Sequence, residues 1–456
     1  MTLKTEVLHI LDLIPLSTSS IAPAFSIAAA FGVMVFYSGT NSIMGVILLF
    51  IPFLISSLVF RSLNKHYPNA GASYHWGLRI IGRTFGGFQA WVVTLAYLFS
   101  IPPIVIPAGE YTIDFLVSIK LLGLKALNNT LLLFFISSFW IFLAILILIL
   151  GTKPTAKFTE IFLGVELFIV ISFIVIGIYY LPSHIINTFS YSWFFNLHPN
   201  ITGLFLTMVV AATILDGWEI DSYAAEESKN PHEWPGLSGI IGLIFVMAIY
   251  LIVMPLMLIE TPLVKLSNSA DPLFLWSTAV IPKYSYIIDI AVIVSTASSL
   301  WLTSFILSRA WFAMSRNGLL PNFFSKTSPR GSPYLNILII GMILFSINFL
   351  IVFSKSIFAL FSVLLSTAGI FLLGEFMLDN ITGLYFFWFG HNNFHSKYHI
   401  HWIYRILILF SASFIFFIII ISLYSDFELL IAFIVLLFPS MYFIYKSRSN
   451  YKATTI

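Results

Sequence analysis

Apolar residues occur in long runs along the chain, and short polar segments separate one run from the next. A bilayer core of about 30 Å is crossed by roughly 20 residues of helix. By this measure the sequence predicts about twelve membrane-spanning helices. The runs in the first half are residues 10–36, 43–60, 84–108, 131–150, 158–180 and 201–225. Those in the second half are residues 237–259, 284–312, 334–353, 357–378, 402–423 and 427–445.

These runs do not alternate between apolar and polar residues, which excludes the strands of a membrane barrel. The predicted fold class is therefore an all-α membrane protein. Composition agrees, because 59% of the 456 residues are hydrophobic and 9% are charged. Soluble domains carry about 25% charged residues. We therefore expect the protein to be surrounded mainly by the lipid bilayer. We expect no nucleic-acid partner, because the net charge is only +3 and the sequence contains no basic-aromatic patch.

The distribution of lysine and arginine predicts an orientation, because cytoplasmic loops retain these residues. If the N-terminus is inside, the Lys and Arg residues in outer segments are Lys120, Lys125, Lys265, Lys283 and Lys355, and the rest of the 22 fall in inner segments. We therefore expect both termini in the cytoplasm, in a multi-pass protein of the cell membrane (plasma or inner). The start of the chain lacks the compact apolar core and cleavage site of a signal peptide, so no cleaved signal is predicted.

Two of the predicted spans contain polar interruptions. In the first, residues 17–20 are hydroxyl residues that precede Pro23, which donates no backbone hydrogen bond and favours local unwinding of this stretch. In the sixth, Asp216, Glu219 and Asp221 place three carboxylates where lipid-facing helix is apolar. The serines alone also suit a helix-packing face. Carboxylates at membrane depth, by contrast, usually line a cavity.

The two breaks lie at corresponding positions in the chain. One is in span 1, the first of spans 1 to 5, and the other is in span 6, the first of spans 6 to 10. Paired discontinuous helices point to an inverted repeat with a binding site near the bilayer midplane. The sequence thus predicts one transporter domain with repeats at residues 10–180 and 201–378, followed by two further helices at 402–445. Half-helix N-termini supply N–H donors for a substrate anion, and carboxylates accept an ammonium, so a zwitterionic amino acid suits such a site.

Three motifs carry a family resemblance. Residues 67–74 read YPNAGASY, similar to a P-x-A-G-G/A-x-Y loop after span 2. Residues 217–219 and 225–231 read GWE and AEESKNP, similar to G-F/W-E and A-E-E-x-K-N-P at span 6 and its inner end. Residues 308–309 and 313–321 read SR and AMSRNGLLP, similar to S-R and A-M-A-R-D-G-x-L-P after span 8. In this order, the motifs resemble those of the amino acid-polyamine-organocation (APC) superfamily.

The resemblance implies the leucine-transporter-like fold, with five plus five inverted helices, two more helices, and alternating access to a midplane site. It also implies that the span-1 break holds the substrate carboxylate and the span-6 break holds its amino group. The implied substrate-binding residues are Ser19, Ser20, Ile21 and Ala22, opposite Asp216, Gly217, Trp218 and Glu219. Many family members have a Gly-rich break in span 1, whereas this chain reads Ser-Ile-Ala-Pro-Ala, so the sequence leaves the identity of the substrate open.

Two groups are candidates for ion coupling. Glu166 lies near the middle of span 5, where proton-coupled relatives carry a titratable residue, and it is a candidate for proton exchange. The alternative is a structural carboxylate bonded to Ser or Thr across a helix interface. Ser298 and Ser299 in span 8, next to Ser295 and Thr296, resemble the hydroxyls that bind sodium in sodium-coupled members. Such hydroxyls also commonly bond back to their own helix.

Further polar residues have no assigned role. Glu110, Glu375 and Asp379 are intramembrane acids. Four histidines follow span 10, namely His391, His395, His399 and His401. Their spacing would align three metal ligands on a helix, but the Asn-rich segment favours an exposed loop, so no metal is expected. No cofactor is expected either, and the absence of cysteine excludes disulfides and thiolate catalysis.

The predicted function is secondary active transport of an amino acid or related amine by alternating access, with proton coupling expected and sodium as the alternative ion. An exchanger and a polyamine transporter remain open within this class. A membrane-embedded enzyme is the main competitor outside it, although no H-E-x-x-H motif, no cysteine and no serine elbow is present. A channel is less compatible with two paired breaks.

Overall fold

The computed structural model describes residues 2–353, 357–389 and 402–450, and the histidine cluster at 391–401 lies outside them. The described chain folds into helices joined by short loops and 3-10 turns. The first helices are α1 (Ile10–Ile21), α2 (Pro23–Ser38), α3 (Ser42–His66), α4 (Ala72–Ile80), α5 (Arg83–Ser100), α6 (Pro102–Ser118), α7 (Thr130–Leu150), α8 (Thr152–Tyr180), α9 (Ile201–Leu215) and α10 (Ile220–Tyr223). They are followed by α11 (Trp234–Glu260), α12 (Leu263–Ser267), α13 (Pro272–Val280), α14 (Ile287–Arg316), α15 (Tyr334–Ile351), α16 (Ile357–Phe389), α17 (Trp402–Ser425), α18 (Phe427–Leu437) and α19 (Ser440–Asn450).

Nine helical stretches within the described residues are long and apolar enough to cross a membrane. The first of them, Ile10–His66, contains the first two predicted spans. The predicted span 9 coincides with the shorter apolar helix Tyr334–Leu350. The predicted span 6, residues 201–225, begins with the shorter apolar helix Ile201–Leu215 and continues through a break into α10. The chain is therefore an all-helical, multi-pass membrane protein. The count of twelve spans and the inverted repeat stay predictions.

Helix α14 lies at the centre of the bundle. Every residue from Ser295 to Ser315 is buried, and the helix contacts α1, α2, α5, α6 and α8. Helices α7, α8 and α17 instead carry large apolar side chains on the outer surface, such as Phe139, Phe168 and Phe417. Because lipid is as apolar as these side chains, an outward apolar surface is what a bilayer requires. The polar groups therefore concentrate inside the bundle.

The first break is narrower than the sequence predicts. Helix α1 continues through the hydroxyl residues to Ile21, and only Ala22 leaves the helix, with φ 54° and ψ 67°. The hydroxyls of Ser17 and Thr18 bond back to the carbonyl oxygen of Ile14, at 3.1 Å and 2.8 Å, so their polar groups are satisfied within the helix. The break is therefore set by Pro23 alone.

Two spans extend beyond their predicted ends. The third span reaches Ser118 in place of residue 108, with an interruption at Ile101 that the sequence did not indicate, and the tenth reaches Phe389 in place of residue 378. The predicted ends were placed where the uninterrupted apolar runs stop, just before Glu110 and Asp379. Asp379, which lies in the extension of the tenth span, is fully buried and accepts a hydrogen bond from Gln89 at 2.8 Å, so it faces the bundle interior and not the lipid.

Candidate functional site

The two helix breaks meet at a cavity in the middle of the bundle, which we call the central cavity. Its lining comes from α1, α2, α5, α6, α9, α14 and α16, together with the span-6 break. The predicted site residues that line it are Ser20, Ile21, Asp216 and Ser299. Polar residues that the sequence did not single out also line it, namely Ser26, Ser100, Thr213 and Thr303. These last four carried no signal, because isolated hydroxyls are common in membrane helices.

The central cavity is small. Its volume is about 40 Å³, measured on the scale on which one water molecule needs roughly 10–15 Å³. It therefore has room for only a few water molecules. A larger ligand requires the surrounding helices to move apart, so the conformation described is closed around this cavity.

At the first break, the new helix α2 begins with its N–H groups already occupied. Glu166 of α8 accepts a hydrogen bond from the backbone N–H of Ala24 at 2.9 Å, and its same oxygen accepts one from the Ser295 hydroxyl at 2.8 Å. Ser295 in turn accepts one from the backbone N–H of Phe25 at 3.2 Å. A carboxylate at a helix N-terminus stabilises the helix dipole. Glu166 thus has the cross-helix contact to a serine that the structural alternative predicted, and it also caps the broken helix.

The hydroxyls of α14 face the end of α1. Ser299 donates to the carbonyl oxygen of Ser20 at 3.3 Å, and Ser19 donates to the hydroxyl of Ser298 at 3.1 Å. Ser298 also donates to its own helix, at the carbonyl of Ser295. The sequence-predicted residues of spans 1 and 8 are therefore brought together.

At the second break, residues 216–219 connect α9 to α10 without helical hydrogen bonding. Gly217 lies directly against the first break, with φ +112°. A Cβ atom at this position would lie 2.6 Å from the carbonyl carbon of Ser20 and 2.8 Å from the nitrogen of Ile21. Only glycine tolerates both this φ and this approach. The two breaks therefore touch through their backbones.

The acidic residues of the second break have different surroundings. Asp216 lines the central cavity, and its Oδ1 has no hydrogen-bond partner among the described residues. Glu219 accepts the N–H of Gly217 at 3.0 Å through Oε2 and the Tyr97 hydroxyl at 3.0 Å through Oε1. Trp218 is buried and stacks on Phe376 with ring centroids 5.4 Å apart. Trp218, Glu219, Gly217, Ser19 and Ala22 are absent from the lining of the central cavity in this conformation.

A buried acid and tyrosine network adjoins Glu219. Glu375 accepts hydrogen bonds from the hydroxyls of Ser73 at 2.8 Å, Tyr97 at 3.1 Å and Tyr223 at 2.8 Å. Because Tyr97 contacts both Glu219 and Glu375, it joins the second break to α16. The sequence identified Glu375 as an intramembrane acid, whereas nothing in the sequence indicated its tyrosine partners.

Toward the predicted outer end, two further cavities lead away from the central one. The outer cavity has a volume of about 300 Å³ and is lined by Glu110, Tyr111, Asp114, Asn129 and Asp271 among others. A smaller connecting cavity shares Ala29 with the central cavity and shares Glu110, Tyr111 and Ala270 with the outer cavity. In the loop before α13, burial raises the pKa of the Asp271 carboxyl to about 7. The sequence had indicated Glu110 here and had missed the two aspartates.

At the predicted inner end, the three sequence motifs come together. Glu226 of the second motif accepts the backbone N–H of Ala70 of the first at 3.0 Å and an Arg316 N–H of the third at 2.9 Å. Burial by itself raises the pKa of Glu226, but the hydrogen bonds and charge of Arg316 outweigh burial and hold this pKa below its usual value. Tyr74 of the first motif accepts a hydrogen bond from Asn317 of the third at 3.1 Å.

A second ion pair lies deeper at the same end. Arg309 and Glu227 are fully buried, with Nε and Oε2 3.2 Å apart. Thr152 contacts both groups, and the guanidinium stacks on Phe305 at 3.5 Å from the ring centroid. Lys229 joins this end through its backbone N–H, which donates to the carbonyl of Leu8 at 2.9 Å. The buried pair of Arg309 and Glu227 therefore joins α14 to the segment after α10 and, through Thr152, to α8.

Comparison with known proteins adds a family. A family model described as "Amino acid permease" matches residues 8–451. A branched-chain amino acid permease of Bacillus subtilis is 23% identical over 292 residues, which are 62% of this chain and 61% of the relative. A methylthioribose transporter of Bacillus subtilis is 23% identical over 301 residues, 63% of each chain. A probable amino-acid permease of Schizosaccharomyces pombe is 31% identical over 140 residues, 29% of this chain and 24% of the relative. The two Bacillus proteins are thus matched over about three-fifths of their length.

Proposed function

This chain belongs to the amino acid permease family of the APC superfamily, and from that premise we propose that it is a secondary active transporter of amino acids or related amines. The carrying observation is the contact between Gly217 and Ser20, where two broken helices meet beside Asp216 at the central cavity. Broken helices of this kind expose backbone and carboxylate groups to a ligand inside a membrane protein. The proposed site comprises Ser19, Ser20, Ile21, Ala22, Asp216, Gly217, Trp218 and Glu219.

We place the protein in the cell membrane with both termini in the cytoplasm. In that orientation, the ion pairs Glu226–Arg316 and Glu227–Arg309 lie on the inner side of the central cavity. The outer and connecting cavities lie on its outer side. Alternating access then requires separation of the motifs at the inner end and closure of the outer cavities over the substrate.

Proton coupling is proposed for Glu166. This buried carboxyl group bridges α2, α8 and α14, and its Oε2 has no hydrogen-bond partner among the described residues. Gain or loss of a proton there changes the contact that caps the broken helix. Sodium at the hydroxyls of Ser298 and Ser299 is the alternative, since Ser299 meets a carbonyl of α1.

The test is uptake by purified protein in proteoliposomes with a panel of neutral amino acids, basic amino acids and amines. A pH gradient and a sodium gradient are imposed in separate experiments. We expect saturable uptake of at least one compound that is accelerated by an inward proton gradient. Exchange without net uptake would identify an antiporter, and dependence on sodium alone would transfer the coupling role to span 8. Absence of any transport across the panel, or formation of a product in detergent, would overturn the proposal.

A further inference from the structure

The N–H groups at the start of α2 leave no place for a substrate carboxylate. Pro23 has no N–H, and the N–H groups of Ala24 and Phe25 donate to Glu166 and Ser295. The N–H of Ser26 donates to the carbonyl of its own helix turn at 2.8 Å. A helix N-terminus attracts anions through such groups. Here the protein's own carboxylate already holds that position.

The second break has the same arrangement. The N–H of Gly217 donates to the carboxylate of Glu219 at 3.0 Å, and the N–H of Ile220 donates to the carbonyl of Gly217 at 3.2 Å. At the first break, therefore, the acidic side chain of Glu166 occupies the position where a substrate anion would bind, and at the second break Glu219 occupies the N–H of Gly217. A second carboxylate brought to either place would meet a like charge.

Two polar atoms on the lining of the central cavity have no partner among the described residues, and both can accept a hydrogen bond. Asp216 is 9% exposed, lines the cavity, and its Oδ1 has no partner among the described residues. The hydroxyl oxygen of Ser20, on the same lining, also has no partner there. A hydroxyl donates or accepts, whereas an ionised carboxylate only accepts. An ammonium group, which only donates, satisfies both, and its positive charge favours the ionised form of the Asp216 carboxyl group.

The path from the outer cavity to the central cavity is lined by acidic residues, like the central cavity itself. The described residues that line the outer, connecting and central cavities include Glu110, Asp114, Asp271 and Asp216, and none of them is lysine, arginine or histidine. A cleft lined by one sign of charge concentrates counter-ions and raises their rate of entry. Cations are therefore favoured along the whole path.

We propose that this carrier takes cationic amines, that Asp216 binds an ammonium group of the substrate, and that a substrate carboxylate is not required. The proposal rests on the proposed transport function and specifies its substrate class. It departs from the expectation that the first break binds a carboxylate, because Glu166 and Ser295 occupy the donors of α2.

Three matched compounds test this proposal. Cadaverine is lysine without its carboxylate, and norleucine is lysine without its second ammonium group. Initial uptake of each is measured in proteoliposomes at equal concentration and under the same gradient. We expect cadaverine to enter at a rate within about threefold of that of lysine and norleucine to enter at least about tenfold more slowly. Norleucine still carries an α-ammonium group for Asp216, but it has no net positive charge to favour its entry along the acid-lined path. It also brings a carboxylate for which the start of α2 offers no free N–H donor.

The other outcomes distinguish failure of this proposal from failure of the proposed transport function. Uptake of norleucine equal to that of lysine would overturn the cationic class and leave amino acid transport intact. Uptake of lysine without cadaverine would show that the carboxylate is needed and would overturn the proposal in the same way. Failure of all three compounds and of the wider panel would overturn transport itself.

A variant pair tests the route. Asp114→Asn with Asp271→Asn removes two carboxyl groups from the outer cavity, and asparagine at 271 retains the N-cap of α13. Uptake is measured at pH 8, because the pKa of Asp271 is raised to about 7 and its carboxyl group is mainly ionised only above that pH. The matched control is Glu428→Gln, which changes an exposed carboxylate in the first turn of α18. We expect the apparent KM for cadaverine to rise several-fold in the double variant at low salt and less at high salt, with the control unchanged. An unchanged KM in the double variant would overturn the role of the outer acids.

Discussion

The carboxylate of Glu166 accepts a hydrogen bond from the backbone N–H of Ala24 at 2.9 Å and so caps the helix that follows the first break. The two residues are 142 positions apart and belong to different predicted spans. A group that titrates at this position alters the electrostatics of the broken helix directly. This contact therefore links the proposed coupling residue to the proposed substrate site.

The first prediction is that Glu166→Gln abolishes concentrative uptake and preserves substrate exchange. The amide oxygen still accepts the Ala24 N–H, so the break keeps its geometry, but the side chain no longer exchanges a proton. Exchange needs only reorientation of the loaded carrier. Accumulation under an imposed pH gradient and counterflow without a gradient are measured on the same preparation.

A matched control is available on the same helix, six residues before Glu166. Glu160 is exposed and pairs with Lys157 at 2.8 Å, so Glu160→Gln removes a surface carboxylate only. It is expected to retain accumulation. A Glu166→Gln protein that still accumulates substrate against its gradient would exclude this residue from proton coupling.

The second prediction concerns the contact between the two breaks. Gly217→Ala places a Cβ atom 2.6 Å from backbone at Ser20 and forces alanine to φ +112°. We expect the rate of transport to fall by at least about tenfold, because sub-ångström displacement of binding groups is costly. Gly164→Ala in α8 is the control, since a Cβ there meets nothing within 4 Å. Equal transport rates in the two variants would show that transport does not depend on the close contact between the two breaks.

A third prediction is that Asp216→Asn lowers transport about tenfold or more while the protein still elutes as a folded species, because an amide does not compensate an ammonium charge. Initial rates over a range of substrate concentration distinguish affinity from turnover. Parental values of both would make Asp216 a structural residue and would move the proposed site elsewhere.

Topology supplies the fourth prediction. The chain has no cysteine, so single cysteines report without background. Lys125→Cys and Lys326→Cys both change exposed residues, in the loops before α7 and α15. An impermeant thiol reagent added to intact cells should label position 125 and leave position 326 unlabelled until the cells are opened. The reverse pattern would invert the predicted orientation.

The sequence predicts features that depend on residues close together in the chain better than it predicts contacts between distant residues. Helices follow from local apolar runs, and the span-6 break follows from the dense acids at Asp216 and Glu219, which lipid cannot accommodate. The first break was placed too broadly, because the hydroxyls of Ser17 and Thr18 bond back to their own helix and only Pro23 compels an interruption.

The partners of the buried acids could not be predicted in the same way. Glu166 was visible as a lone carboxyl group in span 5, but its contact with Ala24 depends on how α8 packs on α2. Tyr97 gave no signal at all, although it joins Glu219 to Glu375. Such contacts link residues more than 100 positions apart, and no periodicity in the sequence records them.

The fifth prediction uses the buried pair of Arg309 and Glu227. Both side chains are fully buried, so Arg309→Met leaves an unpaired carboxylate next to Thr152. Breaking one side of such a pair costs about 3–5 kcal/mol. Replacing both partners, with Arg309→Met and Glu227→Gln together, removes the stranded charge and should recover part of the loss. The exposed pair of Lys157 and Glu160 provides the reference, since Lys157→Met should cost less than about 1 kcal/mol. Thermal unfolding in detergent, followed by tryptophan fluorescence, should rank the single Arg309 variant lowest, the double variant next and the Lys157 variant near the parent. A double variant less stable than Arg309→Met alone would contradict this prediction. It would show that the attraction between Arg309 and Glu227 does not stabilise the packing of α14 against the segment after α10.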